Sequence, residues 1–178
     1  MKRDRVHTLT QAGVIAALYA ALTLVLPVAS FGPVQFRPAE ILTVLPAFTP
    51  AAVPGLTVGC LLANGIGLAF GANLAGAWDV AVGTSATLVA ALLAYALRRA
   101  RVKGVPVWSA LPAVVLNTGL VGAELWLAVF DGEAAALLLC LAQVGLGEAV
   151  TAGVGGVLLA LTLTRTGAEK YLFGGGKE

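Results

Sequence analysis

The amino-acid sequence predicts an all-α membrane protein with six transmembrane helices, and three observations carry that expectation. Apolar residues fill 59% of the 178 positions and charged residues 11%, against about 25% charged in a soluble domain. Five apolar runs each approach or exceed the roughly 20 residues that a helix needs to cross the hydrocarbon core. The basic residues fall into three clusters separated by those runs, which limits how many crossings can lie between them. Such a chain is expected to form one membrane domain over residues 1–178, with polar arms at about 1–8 and 166–178.

The first span runs from about residue 11 to Ala29. MKRDR before an apolar stretch is also how a signal peptide begins. The run continues, however, without a small-residue cleavage site and a soluble segment behind it, so it reads as a retained helix. Ala12, Ala16 and Ala20 repeat every four residues along it, with Gly13, Ala17 and Ala21 as a second row beside them. Small residues at that spacing let another helix approach closely; from the residues alone, that helix belongs to the same chain.

The second span is the unusual one. In FGPVQFRPAEILTVLPAFTPAAVPG, residues 31–55, an apolar stretch from Ala39 to Phe48 is bracketed by Pro38 and Pro50 and broken by Pro46. Charge decides its status. Lys2, Arg3 and Arg5 form one basic cluster, Arg98, Arg99, Arg101 and Lys103 a second, and Arg165, Lys170 and Lys177 a third; Arg37 alone stands outside them. If all three clusters are cytoplasmic, an even number of crossings separates each from the next. The runs at about 107–130 and 136–164 satisfy this between the second and third clusters. Only three obvious runs, at about 11–29, 51–71 and 79–97, separate the first and second, so 39–48 must supply the fourth. Both termini are then cytoplasmic, and the second span is short and proline-bent. Non-helical backbone at membrane depth survives where it is buried in protein or lines a cavity, so residues 31–55 are expected to wall a polar pocket open to the outside.

The acidic residues sort with this topology. Asp4, Glu169 and Glu178 lie in the cytoplasmic arms, and Asp131 and Glu133 in the solvated turn FDGEA. Glu40, Asp79, Glu124 and Glu148 lie in the outer half or deeper. A carboxylate at the centre of a spanning helix costs on the order of 3 kcal/mol, so it faces a partner or a cavity. Glu124 in LNTGLVGAELWLAVF and Glu148 in QVGLGEAVTAGVGG are therefore either hydrogen-bonded structural groups or part of a binding site. Asn117 and Glu124 are seven apart and share one face of span five. Gln143, five before Glu148, lies roughly 140° away around span six. In GANLAGAWD, between spans three and four, Asn73 and Asp79 flank Trp78, which either anchors at the interface, as Trp126 can, or offers an aromatic face to a flat heterocycle. Arg37 is the one fixed cation near them. Gly145, Ala149 and Gly153 form a small-residue row on span six that suits packing inside the chain.

Several chemistries are excluded. His7 is the only histidine and lies in the polar N-terminal arm; Cys60 and Cys140 sit in apolar segments without ligand spacing and read as packing residues. Metal clusters and nucleophile–base pairs are absent, so the chain reads as a non-enzyme without a cofactor. It has no phosphate-binding glycine loop ending in Lys and Ser or Thr and no visible inverted repeat. Nucleic acid is not an expected partner; the bilayer is.

The blocks FGPVQFRPAEILTVLP, TPAAVPGLTVGCLLAN, LPAVVLNT and GLGEAV, spread over nearly the whole chain, are similar to the QueT family of queuosine-precursor transporters. These are substrate-binding S components of energy-coupling factor transporters. The resemblance implies a six-helix protein of the cell membrane that captures its substrate from outside and docks on a membrane coupling subunit carrying two cytoplasmic ATPases. It also implies an alanine-rich docking face on helix one, here Ala12, Ala16 and Ala20. Its substrates would be deazaguanines such as queuine or an aminomethyl precursor, whose guanine-like edge presents N–H donors that carboxylates accept. Glu40, Glu124 and Glu148 are the expected acceptors, Asn117 and Gln143 read the remaining polar edge, and Trp78 stacks. Asn73 and Asp79 border the same pocket, and Arg37 either pairs with Glu40 to shape the loop or contacts the substrate directly. Closure of the Gln35–Arg37 loop, restrained by Gly32 and Pro33, would complete capture. Two rival readings are an S component for another small vitamin and a stand-alone carrier that uses Glu148 as its proton site.

Overall fold

The computed structural model describes residues 2–32 and 34–174, and side chains from Arg5 onward. Pro33, Lys177 and Glu178 lie outside the described residues, as do the side chains of Lys2, Arg3 and Asp4. Five helical stretches have the length and composition to cross a membrane: 5–25, 52–69, 77–99, 107–130 and 134–166. The chain is therefore all-helical in its architecture and suited to several passes through a bilayer.

Helix α1 covers Lys2–Val25 and stops before Pro27, which opens the five-residue α2, Pro27–Phe31. A proline fits at a helix start, where its missing N–H has no partner to lose. After an irregular stretch, the chain enters a 3₁₀ helix at Pro38–Ala47. Runs of this type longer than 3–4 residues are uncommon. At about 2.0 Å per residue, ten residues reach roughly 20 Å, where an α-helix would reach about 15 Å. The stretched winding thus makes this short segment about 5 Å longer than an α-helix of the same residues would be.

Helix α3 is Ala52–Ala69, α4 Ala77–Ala96, α5 Leu111–Phe130 and α6 Ala134–Glu148. A π-helical segment, Ala149–Gly155, joins α6 to α7, Gly156–Thr166, so the last span is one rod with a widened turn just after Glu148. Neighbours in sequence pack together, α3 on α4, α4 on α5 and α5 on α6, while α1 lies on α3. The 3₁₀ helix touches α1, α3, α4, the π segment and α7, which places it in the middle of the bundle. It can lie there because the last span presents glycines. A Cβ at Gly147 would run into the Gln35 carbonyl, and one at Gly155 would sit 2.8 Å from the Ile41 side chain. Gly145 and Gly153 face Thr118 and Val114 of α5, so that row serves internal packing.

Helix α1 packs closely on α3. Ala16 and Ala20 are buried, and Gly55 and Gly59 of α3 lie so close that a Cβ on either would stand 2.8 Å from the carbonyl oxygens of Ala12 and Ala16. The Ala12, Ala16, Ala20 row therefore runs along the seam with α3. The row left exposed is Gly13, Ala17 and Ala21.

The six-residue α8, Ala168–Phe173, is tied to α1 by Gln11 Nε2 donating to the Leu172 carbonyl at 2.8 Å. Phe173 stacks on Phe48 with centroids 6.3 Å apart.

Candidate functional site

Polar side chains buried among these helices form two hydrogen-bonded groups and one isolated carboxylate. The first group is built around Arg37, at the entry to the 3₁₀ helix. Its extended backbone, φ −86° and ψ 104°, sends the side chain back toward the preceding loop. Nη2 lies 3.2 Å from Asp79 Oδ2 and 3.4 Å from Gln35 Oε1, and Nε donates to the Ser30 carbonyl at 3.4 Å. The guanidinium stands 5.4 Å over the Phe31 ring. Asp79, in the first turn of α4, also accepts from Asn73 Nδ2 at 2.9 Å, and its main-chain carbonyl accepts from Asn64 Nδ2 at 2.7 Å. Gly83 makes the room, since a Cβ there would collide with the Asp79 carboxylate. Arg37 is thus paired with Asp79, where the sequence spacing had suggested Glu40.

The second group joins four helices. The Tyr19 hydroxyl, on α1, donates to Glu40 Oε1. Asn117 Nδ2, on α5, donates to Glu40 Oε2 at 3.4 Å and to Glu148 Oε1 at 2.9 Å. Glu40 is 1% exposed and Glu148 3%. The 3₁₀ helix supplies Glu40 and the end of α6 supplies Glu148, just before the widened turn. No cation pairs with either carboxylate among the described residues.

Glu124 stands apart. It is 5% exposed, and neither carboxylate oxygen has a hydrogen-bond partner in the protein. It lines a cavity of about 360 Å³ together with Trp78, Val82, Leu120, Ala123, Leu127 and Ala128. Trp126, the other tryptophan of this region, donates Nε1–H to the Glu133 carbonyl at 2.7 Å and braces the 131–133 turn.

Of the residues singled out from sequence, Arg37, Asp79 and Asn73 come together in the first group, Glu40, Asn117 and Glu148 in the second, and Trp78 with Glu124 at the cavity. Gln143 is half-buried on α6 and joins none of them, in keeping with its angular distance from Glu148. Sequence reading missed Tyr19 and Asn64. Each carried a signal, because a tyrosine or asparagine inside an apolar span needs a partner for its polar end.

Apart from the hydroxyls of Ser30 and Thr84, the buried atoms left without a partner near these groups share one property. Asp79 Oδ1, Asn64 Oδ1, Asn117 Oδ1, Glu148 Oε2 and both Glu124 oxygens are acceptors. Among the described residues, four buried carboxylates face a single buried cation, Arg37, which is already engaged. Leaving buried acceptors unfilled costs about 1–3 kcal/mol each, so the arrangement fits a molecule rich in N–H donors and disfavours an anion.

A family model described as QueT transporter matches residues 9–165. The queuosine precursor transporter QueT of Lactococcus lactis subsp. cremoris (strain MG1363) is 34% identical over 92 residues, which cover 50% of this chain and 50% of that one. The match thus spans about half the length of the curated relative. No solved structure matches the chain.

Proposed function

From the chain's membership of the QueT transporter family, we propose that it captures a queuosine precursor of the deazaguanine class from outside the cell. It then hands the molecule across the cell membrane as the S component of an energy-coupling factor importer. The observation that carries the reading is the surplus of buried acceptors described above. A guanine-like edge supplies adjacent N–H donors, and carboxylate and amide oxygens accept them as charge-assisted bonds. Glu148 Oε2 and Asn117 Oδ1 are the acceptors free to take that edge, with Glu40 held in position by Tyr19 and Asn117.

In this reading the 3₁₀ helix is the second of six crossings and both termini are cytoplasmic. The three basic clusters support this, since an even number of spans must part them. The segment 34–37 then lies on the outer side, with Arg37 bound to Asp79. Transport is driven by ATP hydrolysis in two partner ATPases, to which a membrane coupling subunit connects the chain. The docking face on α1 is the exposed row Gly13, Ala17 and Ala21, because the neighbouring alanine row is occupied by α3.

Isothermal titration of the detergent-purified chain, alone, with queuine and the aminomethyl precursor, and with biotin and riboflavin for comparison, tests the assignment. Tight binding of a deazaguanine without partner subunits is the expected result. A folded protein that ignores both deazaguanines overturns the substrate, and binding of a comparison vitamin would name the alternative.

A further inference from the structure

We infer that the cavity between α4 and α5 is a seat for a protonated amine, with Glu124 as counter-ion and Trp78 as wall, and that it selects ligands with an ammonium arm over neutral ligands of the same ring. The inference rests on the substrate reading above and deepens it.

Three observations meet in this cavity. Glu124 is buried, and both of its oxygens lack a partner in the protein. The walls around it are aliphatic, Val82, Leu120, Ala123 and Leu127 among them, and offer no donor. Trp78 lines the same space. A carboxylate held this way is costly unless a cation with N–H donors meets it. An ammonium carries three donors and no acceptor, so it can fill both oxygens at once, and an indole face attracts the same charge. Arg37 is not available for that purpose, being held by Asp79, Gln35 and Ser30.

The position of the seat relates it to the second polar group. Glu124 and Asn117 lie on one face of α5 seven residues apart, about 10 Å along the axis at 1.5 Å per residue. A flat bicyclic ring on Asn117 and Glu148 with an amine on a short arm spans a gap of that order. A neutral arm would leave Glu124 unfilled and an anionic one would be repelled, so the discrimination comes from what the wrong ligand fails to satisfy.

The experiment is titration of the full chain and of its Glu124→Gln and Trp78→Leu variants in detergent. The ligands are the aminomethyl deazaguanine, its nitrile analogue, and phenethylammonium with phenethyl alcohol as its neutral control. The wild type should prefer the aminomethyl ligand over the nitrile by about tenfold or more, the scale of one charge-assisted bond. Glu124→Gln should erase that preference, and Trp78→Leu should reduce it about threefold. If the preference survives Glu124→Gln, the seat is wrong and the substrate reading stands. If the wild type binds neither deazaguanine, the substrate reading falls and phenethylammonium decides the seat: binding that needs Glu124 upholds it, and binding that does not overturns it. Repeating the titrations in nanodiscs of phosphatidylglycerol and of phosphatidylethanolamine separates the two sources of ammonium. Loss of the Glu124 dependence in ethanolamine lipid alone would give the seat to a lipid headgroup and overturn its assignment to substrate.

Discussion

The Arg37 group and the Glu148 group lie in one apolar bundle and are built from the same kinds of side chain, yet they are finished to different degrees. Around Arg37, a cation meets a carboxylate at 3.2 Å and a second donor reaches the same oxygen, while Asp79 Oδ1 and Asn64 Oδ1 stay without a partner. Around Glu148, two carboxylates share one amide donor and no cation, and Glu148 Oε2 and Asn117 Oδ1 are left over. A group whose carboxylate has its cation is finished in charge and holds structure together; one without a cation is unfinished and open to a donor from outside. Buried polarity in a membrane chain is thus not one signal, and the presence or absence of a paired cation separates the two groups.

The largest effect should come from breaking the finished group. Arg37→Met leaves Asp79 buried without its cation, and removal of one partner of a buried pair costs about 3–5 kcal/mol. The variant should lose most of its thermal stability in detergent. An unchanged melting temperature with binding lost would show that Arg37 belongs to the ligand site, and the division drawn between the two groups would fail.

The opposite pattern is expected of Glu148→Gln. It replaces a carboxylate oxygen that accepts nothing within the protein, so folding should be unharmed or improved. Deazaguanine affinity should fall by about tenfold or more as a charge-assisted bond is lost, on the order of 1.5–3 kcal/mol. Calorimetry and thermal unfolding on one preparation read both sides. A stability loss as large as that of Arg37→Met would place Glu148 among the structural groups.

Helix α1 sharpens the same distinction between filled and unfilled at the level of packing. Ala16→Leu forces a larger side chain into the seam with Gly55 and Gly59, and overpacking costs about 1–3 kcal/mol. Ala17→Leu lies on the exposed row and should shift stability by less than about 0.5 kcal/mol. It should spare ligand binding by the isolated chain and abolish uptake by the assembled transporter. Uptake that survives Ala17→Leu would move the docking face elsewhere.

Much of this was legible in the sequence, and the remainder had physical reasons to be hidden. Length and hydropathy located the five long helices, and charge clusters marked residues 39–48 as a further segment. The 3₁₀ winding of that segment and the π turn after Glu148 were not legible, because each depends on the other: Gly147 and Gly155 matter only once Gln35 and Ile41 lie against them. The two small-residue rows of α1 have identical spacing, and only the glycines of α3 decide which one turns inward. Arg37 and Glu40 are three residues apart, which suggests a pair, but the extended backbone at Arg37 carries its side chain away to Asp79. Asn117 and Glu148 were readable one at a time as costly residues in apolar spans. That one amide joins Glu40 to Glu148 was not readable, because the three side chains come from spans far apart in sequence.

Tyr19 offers the finest cut between the two groups. It belongs to α1, and its hydroxyl is the only described link from that helix to the Glu40–Asn117–Glu148 chain. Tyr19→Phe removes one donor and leaves the ring packed among Ile15, Leu56 and Cys60. The stability cost should be about 1 kcal/mol, the net worth of one hydrogen bond with some penalty for the acceptor left bare. Glu40 Oε1 is then free to accept from ligand, so the affinity lost through looser positioning is offset by a new acceptor, and deazaguanine binding should change less than in Glu148→Gln. Thermal unfolding and titration on the single variant test this. A loss of binding equal to that of Glu148→Gln would mean that the Tyr19 hydroxyl itself touches substrate, and the boundary of the unfinished group would extend into α1.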